Sequence, residues 1–525
     1  MEIRLLEHGR FYTGDRQQPW TEALALAGGR IVATGAAANA WAAAPHVRVE
    51  DLGGALVLPG LVDAHVHLMW YALSLAGLEL RDLSREALLA AVAQRAAATP
   101  PGTWIQGRGW DQNLWADPRF PTAAELDRVA PHHPVLLIAK SAHAAVANTL
   151  ALRLAGLEAT AADPAHGRFG RAASGALDGM LFEEAMGVVE AAIPAPTAAQ
   201  VAAAIRAAQP LLLQAGLTGV HDVDGGPAFA ALQLLHQEGA LQLRVVKYVR
   251  LEALDAALEV GLRSGYGDDW LRFGGLKLFA DGALGSRTGA LCEPYLGEPE
   301  NTGLLTLEPE VLRDSARRAV AGGLALAIHA IGDRANQLVL DVLEEVRPLD
   351  RGLRHRIEHV QLLRPQDVPR LAQLGVVASM QPIHAPHDRV MAEQYWGERC
   401  RLAYAWRSVL QTGATLAFGS DAPIETFDPL LGIYAAVTRR HERDGAPGPE
   451  GWQPQERLTL AEAIEGFTGG AAYASGQEQR LGRLLPGYLA DLVVLDRDIF
   501  AAPPEALLET RVQRVMVGGE WRYAA

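Results

Sequence analysis

Short apolar segments recur along this chain, and each is followed by a stretch rich in Ala, Leu and Arg with helical spacing. That alternation is what parallel β/α architecture requires. In order the segments are LVDAHVHL (61–68), LTGVHDVDG (217–225), LRVVKYVRL (243–251), FGGLKLFADG (273–282), LALAIHAIGD (324–333), HRIEHVQLL (355–363), VVASMQPIH (376–384) and TLAFGSDAP (415–423). Eight such units close a (β/α)8 barrel. The expected fold class is therefore α/β, a TIM barrel.

Two departures from a plain barrel are visible. The first two strand segments are separated by far more residues than a β/α crossover uses, so an inserted subdomain is expected at about 74–195, with its own aromatic cluster in TWIQGRGWDQNLW. Both chain ends read as short strands with Gly turns, ALALAGGRIVATG near the start and LLPGYLADLVVLDRDIF near the end. The expected layout is a β-sandwich part over 1–58, the barrel over 59–475 and the rest of the sandwich over 476–525.

The chain has 525 residues, 49% of them hydrophobic, enough to fill a large core. Its 47 basic and 61 acidic residues give a net charge of −14, which repels phosphate backbones and anionic membrane surfaces. Nucleic acid and membrane are thus not expected as partners. Cys292 and Cys400 are the only cysteines, too few for a disulfide framework or a cysteine-based zinc site. Without a signal-peptide layout or a long apolar run, a cytoplasmic protein is expected.

The histidines carry the chemistry. In LVDAHVHL the strand period of two sends His65 and His67 to one face, about 6.5 to 7 Å apart along the backbone. They are either a pair of metal ligands or two packed imidazoles. Lys277, His329, His359 and Asp421 stand at or near the C-terminal ends of other strand segments, where barrel active sites are assembled. His329 and His359 could each be a core histidine bonded to a carbonyl, and Asp421 could cap the following turn. Lys277 shares a strand face with Phe279, and a buried ammonium needs relief. Either Asp281 pairs with it, or the neutral amine reacts with CO2 to give a carbamate able to bridge two metal ions; an ammonium has no lone pair to ligate a metal.

At this point the chain resembles the metal-dependent amidohydrolase superfamily, and within it the amidohydrolase-3 or YtcJ-like group that includes N-substituted formamide deformylases. The resemblance rests on LPGLVDAHVHL, GRGWDQNLW, SAHAAVANTLAL, LKLFADGALGSRTGAL, AIHAIGDRANQ, HRIEHVQ, SMQPIH, FGSDAP and LGRLLPGYLADLVVLD, in this order over nearly the whole chain. It implies a barrel with a small β-sandwich built from both chain ends. It implies metals held by His65, His67, Lys277 as a carbamate, His329, His359 and Asp421. Imidazole and oxygen ligands suit Zn²⁺ first, and also accommodate Mn²⁺, Fe²⁺, Co²⁺ or Ni²⁺.

The related deaminases carry H-x-x-E after the fifth strand, whereas this chain reads HAIGDRANQ. Hydrolysis of a C–N bond in an amide, N-formyl, N-acyl or carbamate small molecule is therefore expected, with Asp421 as general base and then acid. Ester or lactone hydrolysis by the same site and a non-catalytic binding role are the alternatives. His143, Arg287 and His384 are candidate groups for orienting substrate, and Trp110, Asp111 and Gln381 for shaping the pocket. Trp110 could equally be core of the insert, and Arg287 could serve only in an ion pair. Many relatives form homodimers, which makes that the expected assembly.

Overall fold

The computed structural model describes residues 3–525 except 44–45, 82, 113–114, 140–143, 159–160 and 165–166. Eight strands form one sheet in sequence order: β1 Leu61–Val66, β2 Leu217–Asp222, β3 Arg244–Arg250, β4 Leu271–Phe279, β5 Ala325–Ala330, β6 Arg356–His359, β7 Val377–Met380 and β8 Leu416–Phe418. Every adjacent pair is parallel. Seven of these strands, all but β4, are buried at all positions or all but one, as strands covered on both faces must be.

The edge strands β1 and β8 meet just beyond their ends. The Asp421 amide donates to the His65 carbonyl at 2.8 Å, and the His67 amide donates to the Ala422 carbonyl at 2.9 Å. Gly419 permits this approach, because a Cβ there would lie 2.4 Å from the His65 nitrogen. The fold is thus α/β, a TIM-type barrel. Helices follow the strands, among them Ala228–Gln237, Asp333–Val346, His384–Trp396 and Pro429–Thr438. Their buried positions, such as Leu340 and Leu343 of Asp333–Val346, supply the apolar faces that pack inward.

Strands from both chain ends build a second layer system. A six-stranded sheet runs in the order Glu520–Ala524, Val512–Val517, Leu492–Leu495, Leu56–Pro59, Arg10–Tyr12, Trp20–Thr21, and a four-stranded sheet in the order Arg30–Thr34, Leu24–Ala27, Ile3–Glu7, Val47–Asp51. Leu6, Phe11, Leu24, Ile31, Val57, Leu492 and Met516 share one core drawn from both sheets. Asp491 ties this layer to the barrel through two bonds from Arg244 of β3, at 2.5 and 2.8 Å.

Residues 72–197 form a separate compact unit. It holds a six-stranded sheet with its own core around Trp110, Leu126, Leu137 and Val146. Cys292 and Cys400 are both free. Among the described residues no helix is long and apolar enough to cross a membrane.

Candidate metal centre

His65 lies on β1 and His67 just beyond it, with ring centroids 5.7 Å apart. Their Nε2 atoms face the same oxygen, Asp421 Oδ1, at 3.4 Å from His65 and 3.3 Å from His67. Two ligands on a tetrahedral ion with bonds of about 2.0–2.1 Å stand roughly 3.3 Å apart, so the three groups already have the spacing of a shared cation. The fit has a second sign. His65 Nε2, Asp421 Oδ1, Lys277 Nζ and His384 Nε2 are all buried without a hydrogen-bond partner, a costly condition unless something else engages them.

The far side of each imidazole is fixed. His65 Nδ1 donates to Glu358 Oε2 at 2.5 Å, and Glu358 is held in turn by Arg356 through Nε at 2.5 Å and Nη2 at 3.1 Å. Arg356 also bonds Ser379 Oγ at 2.6 Å and His221 Nδ1 at 2.9 Å. His67 Nδ1 donates to Asp224 Oδ1 at 2.8 Å. The carboxylates of Asp224 and Asp222 accept the amides of Trp70 and Leu68, each at 3.0 Å, pinning the chain as it leaves β1. Lys247 balances Asp222 at 2.6 Å. With each Nδ1 donating, each Nε2 presents a lone pair toward the centre, the tautomer that a metal-binding histidine needs.

The remaining histidines close the ring. His359 lies 4.9 Å from His65 and 4.6 Å from His329 between ring centroids, and its Nδ1 donates to Gln381 Oε1 at 2.7 Å. His329 Nε2 donates to the Gly282 carbonyl at 2.9 Å, leaving Nδ1 with its lone pair. The carbonyl partner considered from the sequence is thus present for His329, while His359 bonds a side-chain amide instead. His384 Nε2 stands 3.9 Å from Asp421 Oδ2. Gln361 Nε2 approaches His384 Nδ1 at 3.5 Å, and Asp388 Oδ2 lies 3.9 Å from the same nitrogen.

Lys277 is fully buried, with Nζ 4.8 Å from the centroid of the Phe279 ring. The Asp281 ion pair considered above does not form. The Asp281 carboxylate instead accepts the amides of Ala290 and Gly332 at 2.8 Å and of Ile331 at 3.0 Å.

Burial and charge set the protonation of the group. Desolvation, with the Lys277 charge, lowers His65 to about 4, and burial pushes His359 well below its ordinary value. Burial lowers Lys277 to about 8, so a minor fraction of its amine, about a tenth at pH 7, is neutral. Burial would lower His67 as well, yet its bond to Asp224 and the facing Asp421 carboxylate hold it up to about 9. The carboxylates that bind that proton would favour a divalent cation in its place. Burial opposes the Asp421 charge, but His67 and the nearby imidazoles outweigh it and keep the carboxyl well below the usual range.

The other candidates are placed as follows. Arg287 pairs with Glu298 at 2.7 Å and lies over the Tyr395 ring, 5.3 Å from its centroid, the ion-pair role weighed above. Trp110 is fully buried in the core of the 72–197 unit, stacked on Trp115 with its Nε1 bonded to the Leu137 carbonyl at 2.9 Å. Asp111 follows it and is half-buried. His143 lies outside the described residues. Glu358, Asp224, Arg356 and Asp222 were not singled out from the sequence. Carboxylates at strand ends beside the histidines, in RIEH and VHDVD, were the available signal.

This geometry defines a class, a barrel whose interior His65, His67 and Asp421 could share a cation. A family model for the amidohydrolase family matches residues 48–523, and the chain belongs to that family of metal-dependent hydrolases. YtcJ of Bacillus subtilis (strain 168) is 33% identical over 534 residues, covering 99% of each chain. The N-substituted formamide deformylase of Arthrobacter pascens is 30% identical over 538 residues, covering 97% of this chain and 96% of that one. The crystal structure of an uncharacterized metal-dependent hydrolase from Pyrococcus furiosus superposes with a TM-score of 0.81 at 31% identity, over 96% of this chain and all of the other.

Proposed function

We propose that the protein hydrolyses a C–N bond in an amide, N-formyl, N-acyl or carbamate small molecule. The carrying observation is the single buried oxygen, Asp421 Oδ1, without a hydrogen-bond partner and faced by two imidazole Nε2 atoms at 3.3 and 3.4 Å. The named activity of the formamide deformylase relative supports the substrate class.

His65, His67, His329, His359 and Asp421, with Lys277, would hold one or two divalent ions, Zn²⁺ first. When bound, such an ion lowers the pKa of a water to about 7 and polarises the scissile carbonyl. The neutral Lys277 amine can attack CO2, forming an N–C bond and releasing one proton, which turns a buried cation into an anionic carbamate suited to two cations. Asp421, kept ionised by the surrounding imidazoles, takes the proton of the attacking water and passes it to the departing nitrogen. His384, whose Nε2 has no partner and stands 3.9 Å from Asp421 Oδ2, would in its Nε2-protonated form donate to the carbonyl oxygen as negative charge develops on it.

Asp421→Asn is the decisive variant. Asn tolerates the left-handed backbone at this position, where φ is +62°, so the fold, read by circular dichroism, should persist while turnover falls by about 10²- to 10⁴-fold. Retained turnover would remove Asp421 from the mechanism. Matched amide and ester substrates, assayed with metal-replete and chelated protein, separate C–N from C–O hydrolysis.

A further inference from the structure

A second set of cation-competent side chains stands apart from the centre just described. His387 lies on the helix His384–Trp396, Glu425 on the segment after β8, and His441 and Glu442 on the segment after the helix Pro429–Thr438. One ligand atom each from His387, His441 and Glu442 lie within 4.8 Å of one another. We propose that these three residues form a second divalent-cation site, of a kind suited to Zn²⁺, that fastens the segments following β7 and β8 together.

The pattern repeats that of the main centre. There, His67 gives Nδ1 to Asp224 at 2.8 Å and turns Nε2 to Asp421 Oδ1 at 3.3 Å, an oxygen shared with His65. Here, His387 gives Nδ1 to Glu425 Oε1 at 2.9 Å and turns Nε2 to Glu442 Oε2 at 2.8 Å, and His441 Nδ1 reaches that same oxygen at 3.5 Å. A carboxylate behind a histidine fixes its tautomer and raises its basicity toward a metal. The two rings stack with centroids 4.5 Å apart and planes inclined by 22°.

The surroundings favour a cation. Asp444 adds a third carboxylate 3.6 Å from His441 Nδ1. The amide of Arg443 approaches that nitrogen at 3.2 Å, marking it as the unprotonated one, and would yield to an ion. The side chains of His387 and Glu442 are 18% and 14% exposed, sheltered enough to bind and open enough to load. Two imidazoles with carboxylate oxygen point to Zn²⁺ or a similar transition metal and away from Ca²⁺ and Mg²⁺, which prefer all-oxygen shells.

Counting ions tests this. Metal-stripped full-length protein is dialysed against micromolar free Zn²⁺ and its zinc per chain measured by mass spectrometry. The wild type should bind one ion more than the His441→Ala/Glu442→Gln variant. A His65→Ala/His67→Ala variant should still bind one ion, with a rise in melting temperature on Zn²⁺ addition that disappears when Glu442→Gln is added. The milder His441→Asn, checked for fold by circular dichroism, repeats the count should the double variant not fold. Equal zinc counts in wild type and folded variants overturn the proposal and leave the cluster as an ion pair alone.

Discussion

Glu358 and His359 are consecutive in β6, and both touch His65: the carboxylate at 2.5 Å, and the His359 ring with its centroid at 4.9 Å. A regular strand cannot aim two neighbours at one point, because its side chains alternate between faces. Register places Glu358 beside His329 and His359 beside Ala330, so Glu358 shares the face of the site by ordinary pleating. His359 is brought round by its backbone, with φ at +73° followed by +46° at Val360. Such conformations cost of order 1–3 kcal/mol in non-glycine residues and persist where the surroundings impose them. The orienting carboxylates should matter nearly as much as the ligands they hold. Asp224→Asn should weaken Zn²⁺ affinity by about 10- to 100-fold, read by competition with a chromophoric chelator, whereas unchanged affinity would take His67 out of the coordination shell. The shared face of His65 and His67 was legible in the H-x-H period, whereas their grouping with Asp421 as ligands was implied by the family resemblance and not by local pattern alone. Lys277 was legible through the cost of burying an ammonium. Glu358 was not, since period two offers RIEH one inward residue of the last pair and the backbone turn that admits both is invisible in residue types. Nor was the fate of Asp281, whose three amide partners come from segments distant in the chain.

At the level of elements, the seam between β1 and β8 is the point where barrel and site are joined. Gly419 lets the two strands close, and a methyl group there would lie 2.4 Å from the His65 nitrogen and 2.7 Å from Asp63 Oδ1. Gly419→Ala should therefore cost about 1–3 kcal/mol, seen as a lower midpoint in urea, and should weaken metal binding with it. A normal midpoint would mean the seam can open without loss. The helix Leu460–Phe467 offers a pH test. Its capping box of Thr459 and Glu462 is reinforced by Arg407, 2.7 and 2.6 Å from the Glu462 oxygens. Burial opposes the Glu462 charge, but Arg407 and Thr459 outweigh it and bring the carboxyl down to about 2. A depressed carboxylate stabilises the fold above its unfolded value near 4.5 and loses that contribution as pH falls toward 2. Melting temperature should accordingly drop less steeply between those pH values in Glu462→Gln than in the wild type, and parallel curves would refute the coupling. The eight strands themselves were legible, since each is an apolar run bounded by turn residues and the helix that follows carries its own period.

On the scale of the molecule, an ion bound by the folded barrel and absent from the open chain adds to stability by mass action, about 2.7 kcal/mol at a free concentration 100 times its dissociation constant. Chelation should lower the melting temperature measurably and re-addition of Zn²⁺ should restore it; a transition indifferent to chelator would argue against a resident ion. The joining of both chain ends was legible only as two stretches of similar strand-and-turn composition. Which strand lies beside which, with Leu56–Pro59 next to Leu492–Leu495, is settled by packing across the fold. His65 and His67 arrive with the earliest strand of the cylinder and Asp421 with the latest, so the three meet only when the circle is complete. A nascent or partly opened chain would hold the imidazoles without the acid, and competence for chemistry would switch on together with structural integrity.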